Sequence, residues 1–193
     1  MRAPVIPLQF VLIAGGVLLA SLGARDLIES HLGQTAAARE FTRTAAVAAS
    51  PRLTAIRTGD TIARLSIPRL HTELYVMEGD DDAELRRGPG HLPGSAMPGS
   101  DGNVVIAGHR DTHFRVLKEI RDGDEIILKT GRGEFRYRVD GTSVVSPSDT
   151  SSLKSSTDPI LHLVTCYPFY WVGAAPKRFV VEARLAESRT RVE

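Results

Sequence analysis

The sequence predicts a mainly β domain, a barrel or sandwich of short strands with short helices, preceded by an N-terminal transmembrane helix and a helical stalk. Three observations predict it. Beyond residue 58, short alternating or β-branched runs recur at close spacing, broken by Gly, Pro, Asn and Asp. Residues 3 to 24 carry no charged side chain, and a helix of that length covers ~33 Å, slightly more than a bilayer's hydrocarbon thickness. Between the two lies a stretch rich in Ala, Arg, Glu and Thr.

Composition narrows the function. In 193 residues, 24 Lys and Arg face 23 Asp and Glu, for a net charge of +1. No basic block concentrates the positive charge that phosphate contacts need, which argues against a nucleic-acid binder. Apolar residues make up 42% of the chain, enough for a core. One cysteine excludes an internal disulfide framework and a Cys-cluster metal site. No dense carboxylate cluster calls for a metal, so neither metal nor cofactor is expected.

The elements follow in chain order. Residues 1–24 read as a signal-anchor helix, most apolar from Phe10 to Ala20, with Pro4 and Pro7 in the first turns where a missing N–H does least harm. A cleaved signal peptide competes, because small residues from Ser21 to Ala24 offer a cut site; the run is longer than a typical signal core of ~7–15 residues, which favours the anchor. Either reading places the following domain on the extracytoplasmic side, and the anchor makes a single-pass membrane protein. Residues 25–57 read as a solvated stalk, a weakly amphipathic helix of strong helix formers (Leu27, Ile28, Leu32 and Ala36 to Ala38) with Pro51 as the stop.

Residues 58–188 form the β domain and 189–193 a polar tail. Strands are expected at 62–67, 74–77, 103–107, 125–129, 134–139 (continuing across Asp140-Gly141 to 142–145), 160–165 and 179–183. Asp80 to Arg86 reads as a short helix with acidic residues in its first turn, and Gly88 to Gly102 as a loop.

Cys166 is the sharpest feature. An unpaired thiol in an exported chain suggests a reactive role, against the competing reading of a buried structural Cys. It ends the run from Pro159 and precedes Tyr167-Pro168, which cannot continue a central strand. Such a strand-end position is exposed enough to meet a substrate. If the segment 167–176 closes a hairpin, Arg178 at the start of the next strand lies beside Cys166. A guanidinium there favours the thiolate and stabilises an oxyanion.

A cysteine nucleophile also needs a proton acceptor. His162 lies four residues before Cys166 on one strand, ~13 Å away and out of hydrogen-bond reach. His31 falls in the stalk; His71 and His91 are loop-like. His109 ends an apolar strand and mirrors Cys166, with His113 as second choice. Spacing alone places neither beside the cysteine. The loop after Cys166 packs Tyr167, Phe169, Tyr170 and Trp171 into five positions, although aromatics are only 6% of the chain. With Thr165, these residues are candidates for binding an extended peptide.

These residues together resemble the signature of sortases, membrane-anchored cysteine transpeptidases of bacterial surfaces, with a class D-like flavour. The resemblance covers about residues 60 to 186. It rests on Ile67-Pro68-Arg69-Leu70, Gly88 to Gly94, Gly108-His109-Arg110-Asp111-Thr112, Thr165-Cys166-Tyr167-Pro168-Phe169 and Ala175 to Phe179. One departure stands out: the family's Thr-Leu-x-Thr-Cys reads His162-Leu163-Val164-Thr165-Cys166 here. By strand parity His162 shares a face with the cysteine.

The resemblance implies a sortase-type eight-stranded β-barrel in which Cys166 is the nucleophile, His109 the acid/base and Arg178 the oxyanion or substrate stabiliser. It implies cleavage of a Leu-Pro-x-Thr-type C-terminal sorting signal through a thioester. The acyl group then passes to an amine of cell-wall or pilus type, anchoring a surface protein to the cell envelope. Three other readings were open to the residues. A transpeptidase acting on peptidoglycan itself would place Ser-His-Gly ahead of its cysteine, where Leu163-Val164-Thr165 stands. A plain thiol peptidase shares the chemistry, and a tethered β module would carry an inert cysteine.

Overall fold

The computed structural model describes residues 8–47, 56–151 and 156–190. Helix α1 spans Leu8–Val47, and a second helix, α2, spans Asp82–Arg87. Eight strands follow the order β1 (Thr61–Ile67), β2 (Thr72–Glu78), β3 (Gly90–His91), β4 (Asn103–Gly108), β5 (Glu125–Thr130), β6 (Gly133–Val145), β7 (Ile160–Tyr167) and β8 (Lys177–Thr190). Two 3-10 turns, Pro68–Leu70 and Arg115–Glu119, complete the set. The strands close a barrel in the order β1-β2-β3-β4-β7-β8-β6-β5.

The expected strands are present, and β6 runs unbroken through Asp140-Gly141 with a register shift between Val139 and Gly141, a bulge that absorbs the turn-like dipeptide. The loop expected from Gly88 to Gly102 contains one further strand, β3. It has only two residues, too few for any periodicity, yet it pairs with both β2 and β4 and closes the barrel. A Cβ at Gly90 would lie 2.1 Å from the Gly79 carbonyl oxygen, so only glycine lets the backbones meet there.

The barrel is mixed, with six of its eight strand pairs antiparallel. Strands β2 and β3 are parallel, and so are β4 and β7. Leu65, Ile67, Ile106, Leu128, Tyr137, Leu161 and Leu163, all fully buried, fill the interior from alternate positions. The Tyr137 hydroxyl accepts a hydrogen bond from the Gly99 N–H at 3.1 Å, which satisfies the one polar atom that ring carries inward. On the rim, Arg69 donates to Asp124 Oδ2 at 2.6 Å. The guanidinium holds that carboxyl below the usual carboxylate range.

The N-terminal expectations are corrected here. Among the described residues no helix is long and apolar enough to cross a membrane. The transmembrane helix over 1–24, the membrane partner and the single-pass topology are therefore not supported. Gln9, Gly15, Gly16 and Ser21 dilute the apolar run, and its helix continues without a break to Val47. Residues 1–7 and 48–55 lie outside the described residues, as do 191–193 of the expected tail, while Arg189 and Thr190 belong to β8.

The solvated stalk is corrected as well, because the second half of α1 lies on the barrel. Gln34 Nε2 donates to the carbonyls of Tyr75 (3.0 Å) and Arg87 (2.9 Å), and its Oε1 accepts from Tyr75 N–H (2.7 Å). This one side chain ties α1 to both β2 and α2. Ala37 is fully buried, Phe41 packs its ring against Tyr75, and Thr61 donates to Glu40. A Cβ at Gly33 would lie 2.6 Å from Arg87 Cα, so the helix approaches backbone to backbone.

Candidate active site

The site is assembled by register. In the parallel β4–β7 pair Gly108 lies opposite Thr165; in the antiparallel β7–β8 pair Cys166 lies opposite Arg178. The parallel pairing is decisive, because it brings the C-terminal ends of β4 and β7 to one rim of the barrel. His109, one residue past Gly108, therefore flanks Cys166 on one side while Arg178 flanks it on the other. Adjacent strands are ~4.8 Å apart.

Parity sets the direction of the three side chains. Val104 and Ile106 on β4, Leu161, Leu163 and Thr165 on β7, and Val181 and Ala183 on β8 are buried, facing inward. The alternate positions 109, 166 and 178 then face outward. All three residues are half-buried. A sulfur, an imidazole and a guanidinium thus share one edge of the outer surface.

Buried contacts hold the two strand ends together. Thr165 is 2% exposed and its hydroxyl donates to the Gly108 carbonyl at 2.6 Å, so it faces the interior and ties β7 to β4. A Cβ on Gly108 would meet the Phe114 ring at 2.7 Å. The chain turns back there, with Phe114 N–H donating to the His109 carbonyl.

His113, the other candidate base, faces α1. It is buried, and its Nε2 lies 2.7 Å from Ser30 Oγ. Burial, with the neighbouring His109 adding to it, pushes its pKa down to about 4, which keeps the ring neutral near pH 7. His91 is a structural histidine, bonded through Nδ1 to Glu78 and through Nε2 to Ser95 and Ala96.

The aromatic loop divides in two. Tyr167, Phe169 and Phe179 form a ring cluster with centroids 5.3 to 6.2 Å apart, packed at the barrel end. Tyr170 and Trp171 stand 69% and 51% exposed. Arg115 and Lys118 face the Tyr170 ring, and these cations lower its hydroxyl pKa. The Arg178 guanidinium donates to the carbonyls of Ala175 and Lys177.

Sequence reasoning missed two contributors. Arg110 donates through Nη2 to the carbonyls of Trp171 and Gly173, which pins the aromatic loop to the end of β4; its place directly after His109 was the only available signal. The other is α1. Ser30 joins Asp82, Arg86, Asp111 and Thr112 around a cavity of about 280 Å³ that opens onto His109. Nothing in the periodicity of residues 25–57 points to that contact. Among the described residues no group of three or more His, Cys, Asp or Glu side chains is placed to hold a metal ion.

Comparison with known proteins bears on the barrel as a whole. Residues 65–186 match the sortase domain family. The chain is 40% identical over 126 residues to Sortase D of Bacillus subtilis (strain 168), covering 64% of this chain and 63% of that protein. It therefore spans less than two thirds of that relative's length. Among solved structures it resembles a Clostridium perfringens Sortase D5 transpeptidase, with TM-score 0.68 and 28% identity over 82% of this chain and 99% of that one. The catalytic domain of SrtD from B. anthracis matches with TM-score 0.62 and 31% identity, over 74% of this chain and 98% of that one.

Proposed function

Because this chain belongs to the sortase family of cysteine transpeptidases, we propose that its barrel moves an acyl group from a peptide amide to an amine, with Cys166, His109 and Arg178 as the catalytic residues. The observation that carries this reading is the strand register that sets Cys166 between the other two. The Cys166 thiolate attacks the carbonyl carbon of the scissile residue. Arg178 stabilises the oxyanion that forms. The tetrahedral intermediate collapses by breaking the C–N bond, and His109 gives its proton to the departing amine. A thioester on Cys166 remains.

In the second half an acceptor amine attacks that thioester, His109 takes the proton the amine loses, and the C–S bond breaks to return the thiolate. Water resolves the thioester when no amine is present. The cavity lined by Ser30, Asp82, Arg86, Asp111 and Thr112 opens onto His109 and supplies an approach for the amine. The family resemblance makes a Leu-Pro-x-Thr-type peptide the substrate of first choice. Thr165 and Arg110 act as positioning residues, one fixing the strand ends and the other the aromatic loop, while Tyr170 and Trp171 offer exposed rings to the peptide.

The test is product analysis of the full chain with a Leu-Pro-x-Thr-Gly peptide, with and without a small primary amine. Amine-dependent formation of the aminolysis product is the expected result. Hydrolysis that no amine diverts would make the protein a thiol peptidase instead.

A further inference from the structure

His162 is the position where this chain departs from the family signature, and the structure gives it surroundings the reaction above does not use. It lies on the outer face of β7, paired with Glu182 of β8. Asp140, Thr142, Ser143, Val180 and Glu182 surround it in a cavity of about 320 Å³ on the outer side of β6, β8 and β7. His162 is only 6% exposed, and its Nδ1 is buried without a hydrogen-bond partner among the described residues. An imidazole so placed is costly unless something completes it. Burial lowers its pKa, against the opposing influence of Glu182, so the ring is neutral and offers a lone pair.

The charges around the cavity do not cancel. Arg184 donates to Asp140 and lies 3.9 Å from Glu182, leaving two carboxylates against one guanidinium. The cavity lies on the same outer face as the reacting centre and is its neighbour by strand register. It includes Val145, whose partner on β8 is Arg178, and Val180, two residues further along that strand. From Cys166 to His162 along β7 is ~13 Å, the reach of about four residues of extended peptide at ~3.3 Å each.

We infer that the His162–Glu182 cavity is a specificity site for a basic side chain, Lys or Arg, four residues before the scissile residue of the acyl-donor peptide. In a Leu-Pro-x-Thr signal that is the residue immediately ahead of Leu. The cationic head donates one hydrogen bond to the Glu182 carboxylate and another to the His162 ring nitrogen. A Thr at position 162 cannot reach as far, and an aliphatic side chain on the peptide would leave the His162 nitrogen unpaired. The peptide's placement rests on the acyl-transfer reading above; the cavity's preference for a cation does not.

The experiment uses peptides X-Leu-Pro-Ala-Thr-Gly, with X as Lys, Arg, Gln, Leu or Glu, and two readouts. One is kcat/KM with the wild-type full chain, His162→Thr and Glu182→Gln. The other is peptide binding to the Cys166→Ala full chain, alone and combined with either substitution, which needs no turnover. The inference expects Lys and Arg to exceed Leu by about 10-fold or more, the size of a hydrogen bond to a charged partner. It expects that ratio to collapse toward one in both variants, while cleavage of the Leu peptide persists. Gln or Leu as the best residue, or wild-type ratios in the variants, overturns it. Cleavage without a charge preference sinks the specificity site and leaves acyl transfer standing. Preferential binding without cleavage does the reverse.

Discussion

Along β7, alternate side chains enter two different environments. Leu161, Leu163 and Thr165 turn inward and are 0 to 2% exposed; on the other face Val164 and Cys166 are half-buried and His162 is 6% exposed. The inner set is held by packing and by the Thr165–Gly108 hydrogen bond, while the outer set includes the proposed nucleophile. Residues that never touch substrate thus decide where the sulfur sits. A shift of one residue in the β4–β7 register would send Cys166 into the core and Thr165 to the surface. Position on the outer face is therefore a product of the inner one.

The sharpest way to break the contrast is to alter one face at a time. Cys166→Ala should abolish acyl transfer, by on the order of 10⁴-fold or more, while thermal unfolding shows the midpoint of the wild type. Loss of stability in that variant would mean the outer face also holds the barrel together. Leu163→Ala should do the opposite. A fully buried leucine lost from the interior costs ~2–5 kcal/mol, visible as a lower urea midpoint, with activity per folded molecule largely kept.

Gly108→Ala blurs the two faces and so sharpens the argument. Its new methyl would press on the Phe114 ring from 2.7 Å, an overpacking worth ~1–3 kcal/mol. Because Phe114 N–H holds the His109 carbonyl, kcat should fall beyond what the unfolded fraction accounts for. Equal losses in activity and folded population would show that the His109 turn does not depend on this contact.

A smaller effect tests where α1 belongs. His113 titrates near 4 in the folded state and at ~6.5 when unfolded. The unfolded chain then binds more protons between those values, so the stability is present above about pH 6.5 and is lost as pH falls toward 4. Urea midpoints should show a loss of up to about 3 kcal/mol over that window. His113→Gln, which keeps a polar partner for Ser30, should remove it. An unchanged slope would mean the ring is not buried against α1.

How much could be read in advance follows from what each feature is made of. Most strands were legible because turn residues and alternation are local, and so was the Cys166–Arg178 pairing, which needs only a hairpin. The nearness of His109 came from family resemblance alone, since it depends on a parallel pairing across 57 residues of sequence. Strand β3 was invisible: two residues carry no period. The docking of α1 is hard to read in sequence because it rests on Gly33, the amide of Gln34 against backbone, Ala37 and a single ring, Phe41, while Ile28 and Leu32 stay exposed. Length and lack of charge in the N-terminal run predict an anchor, whereas its helix continues to Val47 and lays its second half on the barrel.

The most direct test of the central claim is mass spectrometry of the full chain quenched during turnover of a Leu-Pro-x-Thr-Gly peptide. The account predicts one acyl adduct, lacking the peptide's C-terminal fragment, attached to Cys166 and released by a primary amine. A peptide bond still cleaved in Cys166→Ala, or an acyl group found on any other side chain, would contradict it.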